Sequence, residues 1–236
     1  MTRFEHRDAT PELPGLLGLL LAAGGLLGFV ALAALVHGDN LEGFDRHLLL
    51  LLRDPADPER PIGPHWLPAI AQDVTALGSN VILVTVSLVV LGGLLLERKR
   101  GAALLTAVSI LGGTVLSLLV KLLFERPRPD VVPHMVEVFT ASFPSGHAML
   151  SAVTYLTLGA LMTRIQAGPR LKLYVMAVAV AVTLLVGASR IYLGVHWPTD
   201  VLAGWCLGSA WALSCWLVAL RLQRRGQVER PGEAEH

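Results

Sequence analysis

From Leu13 to Val36 the chain runs without a charged residue. A stretch of this length is what a bilayer core of about 30 Å asks of a helix that rises about 1.5 Å per residue. Five further stretches repeat the pattern: Ala76 to Leu96, Gly101 to Phe124, Ser145 to Thr163, Leu171 to Ser189 and Thr199 to Leu220. The expected fold is therefore all-α, a polytopic membrane bundle of six transmembrane helices. Composition agrees, because 53% hydrophobic residues, 16% charged residues and a mean hydropathy of +0.60 are too apolar for a soluble domain. The fourth stretch is the shortest: its uncharged part, Ala148 to Thr163, spans a bilayer only if Ser145 to His147 form its first turn.

Most connections between these stretches are short, and no internal repeat is visible. The expectation is a single membrane domain over residues 1–236. The first apolar run is longer than a signal-peptide core, and its flank mixes Arg3, Arg7, Glu5, Asp8 and Glu12, so it is expected to remain in the protein. Cys206 and Cys215 lie nine residues apart in the last stretch, on roughly opposite faces of one helix, and read as small buried apolar residues. Gly24 with Gly28, and Gly113 with Ser117, have the small-xxx-small spacing of close helix packing.

One connection is long. Between Val36 and Thr75 it carries Asp39, Glu42, Asp45, Asp54, Asp57, Glu59 and Asp73 against Arg46, Arg53 and Arg60. Within it, Phe44 to Leu52 has the pattern of a short amphipathic helix lying at the interface, followed by turns around Pro55, Pro58, Pro61 and Pro64. The segment is expected to cap the bundle. Basic residues set its side: Arg98 to Arg100, then Arg164, Arg170 and Lys172, then Arg221, Arg224, Arg225 and Arg230 flank alternate connections. By the positive-inside rule those connections and both termini are cytoplasmic, and the acidic connection faces outward.

Polar chemistry gathers in three places. Lys121 and Arg128 end the third stretch, Pro144-Ser145-Gly146-His147 opens the fourth, and Ser189, Arg190, His196 and Asp200 join the fifth to the sixth. Counting membrane crossings puts all three groups on one face, the outer one. Three cations without matching acids call for an anion there, since burying them unpaired is costly. Guanidinium groups match phosphate oxygens, and a helix amino terminus capped by Ser145 offers free N–H groups that Gly146 lets a ligand approach closely. Two histidines supply a nucleophile and an acid for phosphoryl transfer, and Asp200 can hold His196 by one ring nitrogen.

These residues resemble a known family. Lys121-x6-Arg128-Pro129, Pro144-Ser145-Gly146-His147 and Ser189-Arg190-x5-His196-x3-Asp200 match in order and spacing the three-part signature of the type 2 phosphatidic acid phosphatases, whose site is similar to that of vanadium haloperoxidases. The resemblance implies a haloperoxidase-like catalytic core over residues 101–220. It implies that His196 attacks phosphorus, Asp200 orients it, and His147 protonates the leaving oxygen and later activates water. Lys121, Arg128, Arg190, Ser145 and Gly146 would hold the phosphate, with Ser189 as a further contact. No metal or other cofactor is implied, nor a nucleic acid partner; the partners are the bilayer and a lipid phosphate. Undecaprenyl diphosphate, phosphatidylglycerol phosphate and phosphatidic acid are the substrates of such enzymes, at the cytoplasmic membrane. A phosphotransferase using the same site is the alternative, and an anion transporter a weaker one, because translocation needs no nucleophile. The sequence leaves the oligomeric state open.

Residues outside the signature receive plainer readings. Arg126 is expected to anchor the chain at the interface. Glu125, Asp130, His134 and Glu137 lack a metal-ligand spacing and read as a solvated loop. Trp66, Trp197, Trp205, Trp211 and Trp216 read as interface and packing residues, with Trp197 beside the nucleophile.

Overall fold

The computed structural model describes residues 12–38, 40–136, 140–165 and 168–226. A helix occupies each predicted stretch: α1 (Glu12–His37), α4 (Asn80–Leu96), α5 (Arg100–Lys121), α6 (Gly146–Ile165), α7 (Pro169–Tyr192) and α8 (Pro198–Arg224). The long connection folds into α2 (Glu42–Leu50), a hairpin of β1 (Arg53–Asp54) and β2 (Asp57–Pro61), and α3 (Leu67–Ala76). Of the prolines read as turns, Pro55 lies in the turn of this ribbon while Pro58 and Pro61 lie in β2, and α3 is a helix within what the hydropathy pattern leaves as connection.

Four of these helices, α1, α5, α7 and α8, are each long and apolar enough to cross a membrane, and α3 with α4 forms a fifth such unit bent by 45°. The bend falls at Leu77 to Ser79, where the Ser79 hydroxyl caps the new helix by accepting from the Ile82 N–H. The remaining helix, α6, differs because its surroundings are protein. Ala148, Met149, Ser151, Ala152, Val153 and Thr154 are all buried between α5, α7 and α8. A helix enclosed by other helices has no need of a continuous apolar surface, which explains its lower hydropathy.

The long helix α8 packs along α1 on one side and α6 on the other. Two glycines one turn apart set the second contact: a Cβ on Gly204 would stand 2.7 Å from the Ser145 carbonyl oxygen, and one on Gly208 2.5 Å from that of Met149. Of the spacings read as packing motifs, Gly113 abuts Val153 and Gly28 approaches Cys206, whereas Gly24 faces open space and Gly25 makes the contact with α8. Both cysteines are free thiols. Because backbone oxygens cannot yield as a side-chain tip can, Gly208→Ala is expected to force α6 and α8 apart at a cost of about 1–3 kcal/mol. A lowered midpoint of thermal unfolding in detergent would report it.

At one end of the bundle the aromatic rings of Phe29, Phe124 and Phe143 pack together, joining α1 to the α5–α6 connection. The hairpin docks on the end of α7 through buried Arg53, which donates to the Tyr192 carbonyl as well as to that of Leu52. Helix α3 lies on α7, placing Ala71 against Leu193 and Val195. The connection from α7 to α8 is thereby enclosed on several sides, and it carries His196.

Candidate active site

The three sequence clusters meet at that end. Lys121 closes α5, and its ammonium donates to the Ala141 carbonyl at 3.1 Å and the Thr140 hydroxyl at 3.2 Å. It lies over the first turn of α6: a Cβ on Gly146 would be 3.5 Å from Lys121 Cε and 3.9 Å from Nζ. Ser145 caps that turn, accepting from the Ala148 N–H at 3.5 Å, while its own N–H binds the Asp200 carbonyl at 3.0 Å. The amino terminus of α6 is thus tied to the start of α8 before any ligand arrives.

Beyond α5 the chain runs Arg126-Pro127-Arg128-Pro129. Prolines keep it extended, since each disfavours a helical conformation in the residue before it. Both guanidinium groups reach the segment 195–200. Arg128 donates to the Val195 carbonyl at 2.6 Å and the Thr140 carbonyl at 2.8 Å, and its NH1 stands 3.3 Å from Nε2 of His196. Burial lowers the pKa of Arg128, with Asp200 opposing, yet a guanidinium remains charged throughout the working range. Arg190, at the end of α7, is only 4% exposed and donates to the Thr75 hydroxyl of α3 at 3.2 Å. Its Nε is buried and finds no hydrogen-bond partner among the described residues. A buried, unsatisfied charged donor is expensive, and an anionic oxygen is the acceptor that suits it.

His196 is 2% exposed. Its Nε2 faces Arg128, and its Nδ1 faces Asp200, 3.5 Å from Oδ2, with the Ser142 hydroxyl 3.4 Å from Nδ1 and donating to the same carboxylate oxygen. Burial pushes the His196 pKa down to about 4; Asp200 resists this, while Arg128 and Arg190 add to it. The ring is neutral near pH 7, with a lone pair available on one nitrogen. His147 begins α6 beside the α3–α4 bend, where a Cβ on Gly78 would stand 3.3 Å from its Cδ2 and 2.4 Å from Val186. It shares its electrostatic surroundings with Arg190, His196, Lys121 and Arg128.

Ser189 is buried and donates to the Val186 carbonyl within its own helix at 2.7 Å. In the loop read as solvated, Glu125 and Asp130 are exposed and Nε2 of His134 lies 2.6 Å from the Pro129 carbonyl oxygen; Glu137 falls outside the described residues. The tryptophans pack: the indole N–H groups of Trp197, Trp205 and Trp211 donate to the carbonyls of Pro127, Thr183 and Ser109.

One sequence expectation is corrected here. Arg126 is no interfacial anchor: it bridges two fully buried carboxylates, with NH1 2.6 Å from Asp200 Oδ1 and NH2 2.7 Å from Asp45 Oδ2. The amphipathic helix α2 leaves Phe44 exposed and turns Asp45 into the bundle, where it accepts from the N–H and hydroxyl of Thr199 at the start of α8. The Arg-Pro-Arg-Pro alternation was a usable signal for Arg126, since in an extended chain residues two apart face the same side. Nothing comparable marks Asp45. Thr75, Thr140 and Ser142, which hold Arg190, Lys121, Arg128 and Asp200, were also invisible as single polar residues.

At one end of the membrane bundle, then, Lys121, Arg128, Arg190 and the start of α6 converge around the buried ring of His196. The PAP2 superfamily profile matches residues 102–224. Phosphatidylglycerophosphatase B of Bacillus subtilis (strain 168) is 32% identical over 186 residues, 77% of this chain and 86% of that protein. An undecaprenyl-diphosphatase of Sulfolobus acidocaldarius is 43% identical over 68 residues, 29% of each chain. The crystal structure of a transmembrane PAP2 type phosphatidylglycerolphosphate phosphatase from Bacillus subtilis superposes with a TM-score of 0.74 at 29% identity, covering 86% of this chain and 98% of that one. The chain belongs to the PAP2 superfamily. It is a membrane-integral lipid phosphatase of that type.

Proposed function

We propose that this chain removes a phosphate from a lipid phosphomonoester or diphosphate through a phosphohistidine on His196. The observation that carries the reading is the neutral imidazole of His196, backed by Asp200 on Nδ1 and bordered by Arg128 on Nε2. In the first step the Nε2 lone pair bonds to phosphorus, the bond from phosphorus to the lipid-side oxygen breaks, and His147 delivers a proton to that oxygen. In the second, His147 takes a proton from water as it attacks phosphorus, and the P–N bond breaks to release inorganic phosphate. Lys121, Arg128, Arg190 and the N–H groups at the start of α6 offset the charge on the equatorial oxygens. Those fixed cations supply what a magnesium ion otherwise would, so the reaction runs without metal.

The lipid is the less constrained part. A site at the end of a membrane bundle takes a headgroup while the chains stay in the bilayer, and the relatives named for phosphatidylglycerophosphate and undecaprenyl diphosphate point to those two lipids ahead of phosphatidic acid. The opposite end of the bundle carries Arg98 to Arg100, Arg170 to Lys172 and Arg221 to Arg225. That asymmetry supports a site on the outer face of the cytoplasmic membrane. The test is phosphate release by purified protein from the three lipids side by side, with EDTA and without added magnesium. Release undiminished by EDTA, strongest with one of the first two lipids, is expected. An absolute need for magnesium would overturn the metal-free mechanism.

A further inference from the structure

We infer that Asp45, which lies outside all three catalytic motifs, is a positioning residue for the reaction and acts through Arg126 on Asp200; this rests on the assignment of His196 as nucleophile. The geometry is a closed chain. Asp45 Oδ1 accepts from the Thr199 N–H at 2.9 Å, and Oδ2 accepts from the Thr199 hydroxyl at 2.5 Å and from Arg126 NH2 at 2.7 Å. The other arm of Arg126 donates to Thr199 Oγ1 at 2.8 Å and Asp200 Oδ1 at 2.6 Å. Oδ2 of Asp200 then accepts from the Trp197 N–H at 2.9 Å and from Ser142, and faces Nδ1 of His196. Both carboxylates are fully buried and the Arg126 side chain is 13% exposed.

Charge decides what this chain does. One guanidinium between two carboxylates leaves one net negative charge, and the carboxylate oxygen not held by Arg126 is the one that faces His196. When the imidazole bonds to phosphorus it becomes cationic, and a negative Asp200 stabilises that state in proportion to the charge it retains. With Asp45 neutral, Arg126 would be balanced by Asp200 alone, and the imidazolium would lose most of that stabilisation. A merely structural tie between α2 and α8 would not require this chemistry. Leu49 of α2 already packs against Val132 and Trp197, and apolar groups join helices without the desolvation cost of a buried ion pair.

Asp45→Asn keeps the side chain's shape and removes its charge. It is expected to lower kcat by roughly ten- to a hundredfold with KM within about threefold, because the phosphate pocket is untouched. Asp45→Asn combined with Asp200→Asn should be no slower than Asp200→Asn alone, since both act through one carboxylate. Asp45→Asn with Arg126→Gln, which restores the charge balance, should recover part of the lost kcat; a structural defect would deepen instead. Arg126→Lys, which keeps the charge balance, reads the same chain if Asp45→Asn is not recovered folded, and should retain kcat within about threefold. Wild-type kcat in Asp45→Asn, a roughly tenfold or larger loss in Arg126→Lys, additive losses in the double carboxamide variant, or an effect on KM alone would overturn the inference. His196→Ala assayed alongside separates the two readings: if it is active the nucleophile assignment has failed, and if it is inactive while Asp45→Asn is fully active only the role of Asp45 has.

Discussion

Replacing His196 with Ala should abolish phosphate release from every lipid substrate while the protein still elutes and melts as a folded bundle. The loss should reach about a thousandfold or more, the scale on which removal of a covalent nucleophile is felt. Folding should survive because His196 occupies a loop between α7 and α8 whose ends are held independently: Val195 N–H binds the Arg190 carbonyl, and Trp197 N–H binds Asp200. The same residue makes a pH statement. In free enzyme its pKa is held near 4, chiefly by burial, so its neutral, nucleophilic form should be nearly fully populated at pH 7 and fall to half only near pH 4. Titration of isotope-labelled histidines by NMR, with the signal assigned by its absence in His196→Ala, should find the His196 ring still neutral at about pH 5. A midpoint near the ordinary histidine value, or substantial turnover by His196→Ala, would contradict the proposed mechanism.

The second large effect concerns His147, and it should depend on the leaving group. A lipid alkoxide is a poor leaving group and needs a proton, so His147→Ala should lower turnover of lipid phosphomonoesters by about 10²–10⁴-fold. With p-nitrophenyl phosphate the leaving phenolate needs no proton, so the first step should persist. Hydrolysis of the intermediate would then lack its base, and phosphohistidine should accumulate with a burst of nitrophenolate close to one per enzyme. An alkaline quench preserves the P–N bond for detection. Equal losses with both substrates, and no accumulated intermediate, would assign His147 a role in holding the phosphate. Gly78 offers a gentler check on the same group, since any side chain there meets Val186 and the His147 ring.

The boundaries of the helices show how far hydropathy can be followed. Four long helices coincide with uninterrupted apolar runs because their outer faces meet lipid, and a lipid-facing surface must be apolar along its whole length. Helix α6 reads short for the opposite reason: enclosed by α5, α7 and α8, it keeps Ser151 and Thr154 in its middle and spends its first turn on Gly146 and His147. Helix α3 escaped notice because Gln72, Asp73 and Thr75 interrupt its apolar residues, so that it falls in the connection ahead of the run from Ala76 to Leu96.

The motif residues were legible because their spacing carries chemistry. A histidine four residues before an aspartate, an arginine six before that histidine, and a glycine–histidine pair at a helix start meet only if the helices alternate through a membrane, and alternation follows from the apolar runs alone. Sequence therefore determined the run of helices and which cations and histidines gather at one end of the bundle. Tertiary structure alone decided how those groups are held. Asp45 looks identical in sequence whether it faces water or α8, since an amphipathic helix asks only for one apolar face. Only the docked packing turns that acid inward, onto the Thr199 N–H at the start of α8, and sets Arg126 between two buried carboxylates. Burial is a property of the assembled helices, and it is burial that gives one charge its effect on the next.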